Sequence, residues 1–189
     1  MIMCSYKKIA VTDSSLTELP LSKQIYRIME YDKPDMLILR EKELSPEEYE
    51  ALAVQILSVC QQKGVECILH SFVEVAQKLG VRKIHLSFPA LKEQWQSLGS
   101  FHTIGVSVHS KEEAEEAHRL GATYLIAGHV FETNCKAGIP GRGLEFLQEV
   151  CRAVSIPVYG IGGINDENTE FVKRAGAAGE CRMSHYMRN

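Results

Sequence analysis

What this sequence lacks narrows its function before any motif is considered. It has no excess of basic charge: Lys plus Arg number 21 against 24 Asp plus Glu, and neither sign forms a long block. That excludes the electrostatic footprint expected of a nucleic-acid binder. Its six cysteines include no C-x-x-C pair and no cysteine–histidine spacing of a zinc site, so they read as reduced thiols. No apolar run approaches the roughly 18 residues that a membrane span needs, and the opening M-I-M-C-S-Y-K-K lacks an apolar signal-peptide core. The expectation is a cytoplasmic protein whose partners are small molecules or other protein chains, with no nucleic acid and no membrane.

What is present reads as one domain over residues 1–189, with 45% hydrophobic residues to build its core. Eight short apolar runs rich in Ile, Val and Leu predict strands at Lys8–Thr12, Met36–Arg40, Glu66–His70, Lys83–Leu86, Thr103–Val108, Tyr124–Gly128, Pro157–Gly160 and Gly179–Met183. Helical patterns lie between most of them. The clearest is Tyr49, Leu52, Ala53, Ile56, Leu57 and Cys60, whose spacing makes one stripe facing a sheet. Ser45-Pro46-Glu47-Glu48 and Ser110-Lys111-Glu112-Glu113 read as N-terminal capping boxes. Gly64, Gly80, Gly121 and Gly176 sit where left-handed helix C-caps are expected.

Strand and helix alternating eight times predict parallel strands joined by crossovers, closing into a (β/α)₈ TIM barrel, with a doubly wound open sheet as the alternative. The barrel is favoured because G-x-G-x-x-G is missing after the first strand, where Val11-Thr12-Asp13 stands. Only Ser184 to Asn189 follow the last strand, so the eighth helix is expected to be truncated or absent. Glu180 and Arg182 alternate along that strand and are expected to point outward, where a covering helix is missing.

A barrel of this kind carries its active site at the C-terminal ends of the strands and often holds phosphate with the loops after strands seven and eight. Gly160-Ile161-Gly162-Gly163-Ile164 follows strand seven and Met183-Ser184 follows strand eight. Glycine pairs also occur in plain turns, but at this position backbone N–H groups can close around an anion. The stretch A-G-H-V-F-E-T-N-C-K-A-G-I-P-G-R-G, from Ala127 to Gly143, is the richest in reactive side chains and lies in the longest interval between predicted strands. His129, just past the strand end, is the candidate acid/base, since histidine ordinarily exchanges a proton near neutrality. A histidine bonded in a core is the bland alternative. Thr133, Lys136 and Arg142 are candidates to hold an anionic substrate, as are Arg40 and Lys42 at the end of strand two, unless the latter merely pair with Glu41 and Glu43. His70 and His85 have no carboxylate beside them and are assigned structural or secondary roles; Cys135 reads as incidental.

These pieces together, V-T-D at Val11 to Asp13, R-E-K at Arg40 to Lys42, G-V-S-V-H-S at Gly105 to Ser110, the 127–143 loop and G-I-G-G-I at Gly160 to Ile164, resemble the thiamine-phosphate synthase superfamily over essentially the whole chain. The resemblance implies the barrel and a phosphate site. The synthase branch of that superfamily holds magnesium and pyrophosphate with an Asn-Asp pair after strand three and an aspartate after strand four. This chain has His70-Ser71 and Ser87-Phe88-Pro89-Ala90 there, which makes pyrophosphate displacement improbable. G-H-V-F-E-T after strand six looks like the TenI branch, the thiazole tautomerases.

That branch implies a metal-independent isomerase without a cofactor, which aromatises a thiazole carboxylate phosphate in thiamine biosynthesis. His129 would move the proton, Gly162, Gly163, Met183 and Ser184 would hold the phosphate, and Arg40 or Lys136 the carboxylate. The alternatives are thiamine-phosphate synthase activity and a non-catalytic regulatory protein that binds a thiazole or thiamine phosphate. The unusual end leads to the expectation of a homo-oligomer, with a dimer favoured.

Overall fold

A computed structural model describes residues 5–133 and 138–188. Eight parallel strands close in sequence order: β1 (Lys7–Val11), β2 (Met36–Leu39), β3 (Glu66–His70), β4 (Lys83–Ser87), β5 (Thr103–Val108), β6 (Tyr124–Gly128), β7 (Val158–Ile161) and β8 (Gly179–Arg182). The ring is completed by β8 against β1, with Ile9 opposite Cys181. Helices α1 (Leu21–Tyr31), α2 (Pro46–Lys63), α3 (Val73–Lys78), α4 (Phe88–Gln94), α5 (Lys111–Arg119), α6 (Gly143–Ala153) and α7 (Thr169–Arg174) alternate with the strands. The last helix is not absent: among the described residues α8 spans Ser184–Arg188 and buries Tyr186 and Met187. Each predicted strand is present, with ends within one residue of the apolar runs.

Strand alternation divides the interior into two layers, because successive side chains point to opposite faces. Ile9, Val11, Met36, Ile38, Ile68, Tyr124, Ile126, Tyr159 and Cys181 fill the barrel lumen. Their alternates, including Leu37, Leu39, Ile84, Leu86, Val106 and Leu125, pack with the helices. Both faces of the sheet are therefore buried, which is why the strands read as continuous apolar runs.

The end signals hold with one difference. Ser45 forms a full capping box with Glu48, and Gly64 closes α2 at φ 63°. Ser110 accepts the Glu113 amide, but the Glu113 carboxylate reaches back to the amide of His109 instead of that of Ser110. On the α2 stripe, Tyr49 is fully buried, donates from its hydroxyl to the Leu39 carbonyl at 2.6 Å and accepts the His70 amide at 2.9 Å. It thus ties the helix to two strand ends below the barrel rim. Tyr49→Phe strands both backbone groups and should cost about 1–3 kcal/mol, read as a lower urea midpoint at unchanged m-value; a loss below about 0.5 kcal/mol would show that water replaces the hydroxyl.

The outward face of β8 differs from the expectation of an uncovered edge. Glu180 and Arg182 alternate with Cys181 of the lumen, yet both are buried, and Arg182 also reaches the wall of the cavity at the strand ends. Tyr6 donates to Glu180 at 3.0 Å, Thr169 of α7 does so as well, and Arg182 contacts Glu180 at 2.6 Å. The charged pair replaces apolar packing here because each charge finds a partner within reach.

Candidate active site

The strand ends and the loops above them enclose a cavity of about 630 Å³. Arg40, Lys42, His129, Thr133, Gly162, Gly163, Met183 and Ser184 all line it, so the structure brings together the described candidates from the sequence except Arg142. Lys136 and Cys135 lie outside the described residues. Arg142 does not line the cavity; its guanidinium rests 5.6 Å from the centre of the Phe146 ring of α6.

His129 is held by the way the loop after β6 docks on β7. The Val130 amide donates to the Ile161 carbonyl at 2.8 Å and the Phe131 amide to the Gly162 carbonyl at 3.0 Å, while Arg142 donates its amide to the His129 carbonyl at 2.9 Å. Glycine is required opposite: a Cβ on Gly162 would lie 2.3 Å from the Cβ of His129, and one on Gly163 would lie 2.4 Å from the Glu132 carbonyl oxygen. Both have positive φ, 99° and 65°. The glycine pair therefore admits the His129 loop as well as exposing amides. Among the described residues, neither the Gly162 nor the Gly163 N–H enters a hydrogen bond.

The His129 ring is buried, with Nε2 3.1 Å from the Ile139 carbonyl oxygen. A carbonyl accepts and cannot donate, so this contact assigns the proton to Nε2. Nδ1 has no partner among the described residues. In the neutral ring it carries an unused lone pair, the electronic requirement for a base, and that atom is itself buried.

Arg40 is positioned by a network that local sequence does not reveal. Thr12 donates to Glu41 at 2.7 Å and accepts the Arg40 amide at 2.8 Å, and Glu41 also accepts the hydroxyl of Ser14 at 2.6 Å. Glu41 is buried and turned inward, so it is not the surface partner of Arg40; Asp13 is, at 3.5 Å. The V-T-D and R-E-K segments are thus halves of one device that holds a guanidinium at the rim.

His70 and His85 also face the cavity, more centrally than their assigned secondary roles implied. They are register partners on β3 and β4, and their rings stack with centroids 5.5 Å apart. His85 Nδ1 lies 3.0 Å from the Tyr124 hydroxyl and its Nε2 2.8 Å from Ser107 Oγ. Gly105 lies between His85 and Tyr124 in the sheet register, and a Cβ there would come within 2.0 Å of the Tyr124 ring. Burial, then the charges of His85, Lys42 and Arg40, push His70 down to about 2. Burial and Lys42 push His85 down to about 3. Both are therefore neutral at physiological pH. Ser107 and His109 also line the cavity but were not singled out from sequence; the strand-end rule applied to β5 would have found them.

The carboxylates near the strand ends are few among the described residues. No carboxylate stands at the ends of β3 and β4, where Ser71, Ser87 and Ala90 are found. Among the described residues no three Asp, Glu, His or Cys side chains group as a metal-binding set. Of the described residues, two carboxylates line the cavity, Asp13, which pairs with Arg40, and Glu132.

Comparison with known proteins agrees with this architecture. A family profile described as Thiamine monophosphate synthase matches residues 9–185. The chain is 35% identical over 178 residues to a thiamine-phosphate synthase of Clostridium acetobutylicum, covering 92% of this chain and 83% of that one. It is 33% identical to that of Syntrophomonas wolfei, over 99% of this chain and 91% of the relative. Among solved structures, a thiamine phosphate pyrophosphorylase from Pyrococcus furiosus superposes with a TM-score of 0.82 at 27% identity, covering 100% of this chain and 91% of that one. With a matching profile across nearly its full length and relatives it spans almost end to end, this chain belongs to the thiamine monophosphate synthase family.

Proposed function

We propose that this chain is a thiamine-biosynthesis enzyme of the isomerase class, a thiazole tautomerase that aromatises a thiazole carboxylate phosphate. The observation that carries the reading is His129, buried at the cavity wall with its Nε2 proton given to Ile139 and its Nδ1 lone pair unused. The reaction moves one proton from the ring carbon bearing the carboxylate to an exocyclic carbon. Nothing is oxidised and no group leaves, so one acid/base residue suffices. His129 takes the proton, becomes imidazolium and returns it to the exocyclic carbon.

The remaining assignments follow the charges. The phosphate lies against the amides of Gly162 and Gly163 and against Met183 and Ser184, and the carboxylate faces Arg40 and Lys42 across the cavity mouth. Thr133 supplies a hydroxyl from the same loop as His129. The missing carboxylates at β3 and β4 support proton transfer over displacement of pyrophosphate.

The test is direct. Purified protein, treated with a metal chelator, should accelerate aromatisation of the non-aromatic tautomer, followed by the ultraviolet absorbance of the product; no acceleration over buffer would refute the assignment. The second reading is thiamine-phosphate synthase, favoured by the thiamine-phosphate synthases that the chain resembles at 33–35% identity. Product formation from the pyrimidine pyrophosphate and the thiazole phosphate with magnesium would establish it.

A further inference from the structure

The charged pair on the outer face of β8 has a second connection. Arg182 Nη1 reaches Asp166 at 2.8 Å in the loop after β7, while its Nη2 touches Glu180 at 2.6 Å. The Arg182 side chain is 5% exposed and Glu180 is fully buried, whereas Asp166 is 84% exposed. Nη2 and Glu180 Oε1 are in ionic contact without hydrogen-bond alignment, and Nε has no partner among the described residues. A buried guanidinium in that state carries a desolvation cost that its ion pairs offset only in part.

The loop after β7 depends on this side chain. Asp166 lies inside a turn in which Asn165 donates its amide to the Asn168 side chain at 2.9 Å, and Asn168 Nδ2 donates to the Gly163 carbonyl at 2.9 Å. Contacts therefore run from Glu180 through Arg182 and Asp166 to the turn that grips Gly163. At the other end Arg182 precedes Met183 and Ser184 directly. The loops that follow β7 and β8, strands already paired at Ile161 and Cys181, are thus bridged by this side chain as well.

We propose that Arg182 is a positioning residue: anchored by Glu180 beneath the rim, it holds Asp166, and with it the Gly162–Gly163 segment, at the spacing from Ser184 that lets one phosphate be gripped from both sides. The inference rests on the reading of that rim as a phosphate site. Glu180 fixes the guanidinium because it is itself held by Tyr6 and Thr169. A binding site works only where its donors are set before the ligand arrives.

The experiment is calorimetric titration of inorganic phosphate into the unsubstituted protein and three variants. Asp166→Asn should weaken phosphate about tenfold with little change in Tm, because the carboxylate it alters is exposed; Asp166→Glu should recover affinity to within about twofold. Arg182→Met alone would leave Glu180 buried and uncompensated, so the third variant is Glu180→Leu with Arg182→Met. Replacing a buried pair with apolar groups is commonly neutral or stabilising, so Tm should hold or rise while phosphate affinity still falls about tenfold. With substrate, the same variants should raise KM and leave kcat within about twofold.

Unchanged phosphate affinity in Asp166→Asn would overturn the positioning role alone. A gain in affinity would overturn it too, showing that Arg182, once released, meets the anion itself. If the unsubstituted protein fails to bind phosphate, the phosphate site and this inference both fall.

Discussion

Replacing His129 with asparagine should reduce kcat for aromatisation by about 10²- to 10⁴-fold, the usual contribution of a positioned general acid/base, while phosphate affinity and KM change little. Asparagine is the informative choice. Its amide stands where Nδ1 does and stops short of the Ile139 carbonyl that now accepts from Nε2 at 3.1 Å, so the ring is removed without placing another base there. It supplies no basic lone pair where Nδ1 stands. A fall in kcat at constant KM isolates an interaction made in the transition state from one made in binding. Steady-state kinetics decide it: a variant keeping more than about a tenth of the activity would remove His129 from the mechanism.

The second large effect is on stability against pH. His70 and His85 are neutral in the folded protein down to about 2 and about 3, from an ordinary 6.5. Between those values and 6.5 the unfolded chain binds protons that the folded chain refuses, so stability rises with pH across that window and falls on acidification. Each histidine contributes a slope approaching about 1.4 kcal/mol per pH unit, and from pH 8 to pH 5 each should cost about 2 kcal/mol. Together they should remove about 4 kcal/mol, a large part of the stability of an ordinary domain.

Urea denaturation of the unsubstituted protein, His70→Asn and His85→Gln at pH 8, 6.5 and 5 checks this. Each variant will be weaker at pH 8, since ring packing and the bonds to Ser71 or to Tyr124 and Ser107 are lost, but its stability should depend on pH by about one proton less. Identical pH slopes in all three proteins would show that these imidazoles are not held neutral. The burial responsible is built by Gly105, whose missing side chain lets the Tyr124 ring close over His85.

How much of this was legible in the sequence follows from how local each cause is. The strands, the α2 stripe, the Ser45 cap and the glycine C-caps depend on residues within one element, and they appear where the spacing places them. The strand-end rule located His129 and the glycine loop because, in a closed parallel barrel, chain order is also spatial order. Ser107 on β5 and His109 just after it stand at the same rim, within the Gly105 to Ser110 segment that carries part of the resemblance.

What local pattern misread was charge. Arg40 beside Glu41 suggested a surface pair, yet consecutive residues at a strand end point in different directions, so Glu41 turns inward to Thr12 and Ser14 while Arg40 meets Asp13. Glu180 and Arg182 suggested an uncovered face, and the structure buries them with partners drawn from both ends of the chain, Tyr6 and Asp166. No window of sequence contains such pairs.

The loop from Ala127 to Gly143 shows the division most clearly. The sequence alone determined that reactive groups gather there, that it follows the sixth strand, and that Gly162-Gly163 follows the seventh, because composition and element order are written along the chain. Only the tertiary structure decided that Gly162 is small so that His129 can sit against it, that Nε2 is spent on Ile139, and that His70 and His85 share the cavity as neutral rings. Burial, and contact between residues distant in the chain, decide which lone pair is free and which proton is held, and both arise only when the barrel closes.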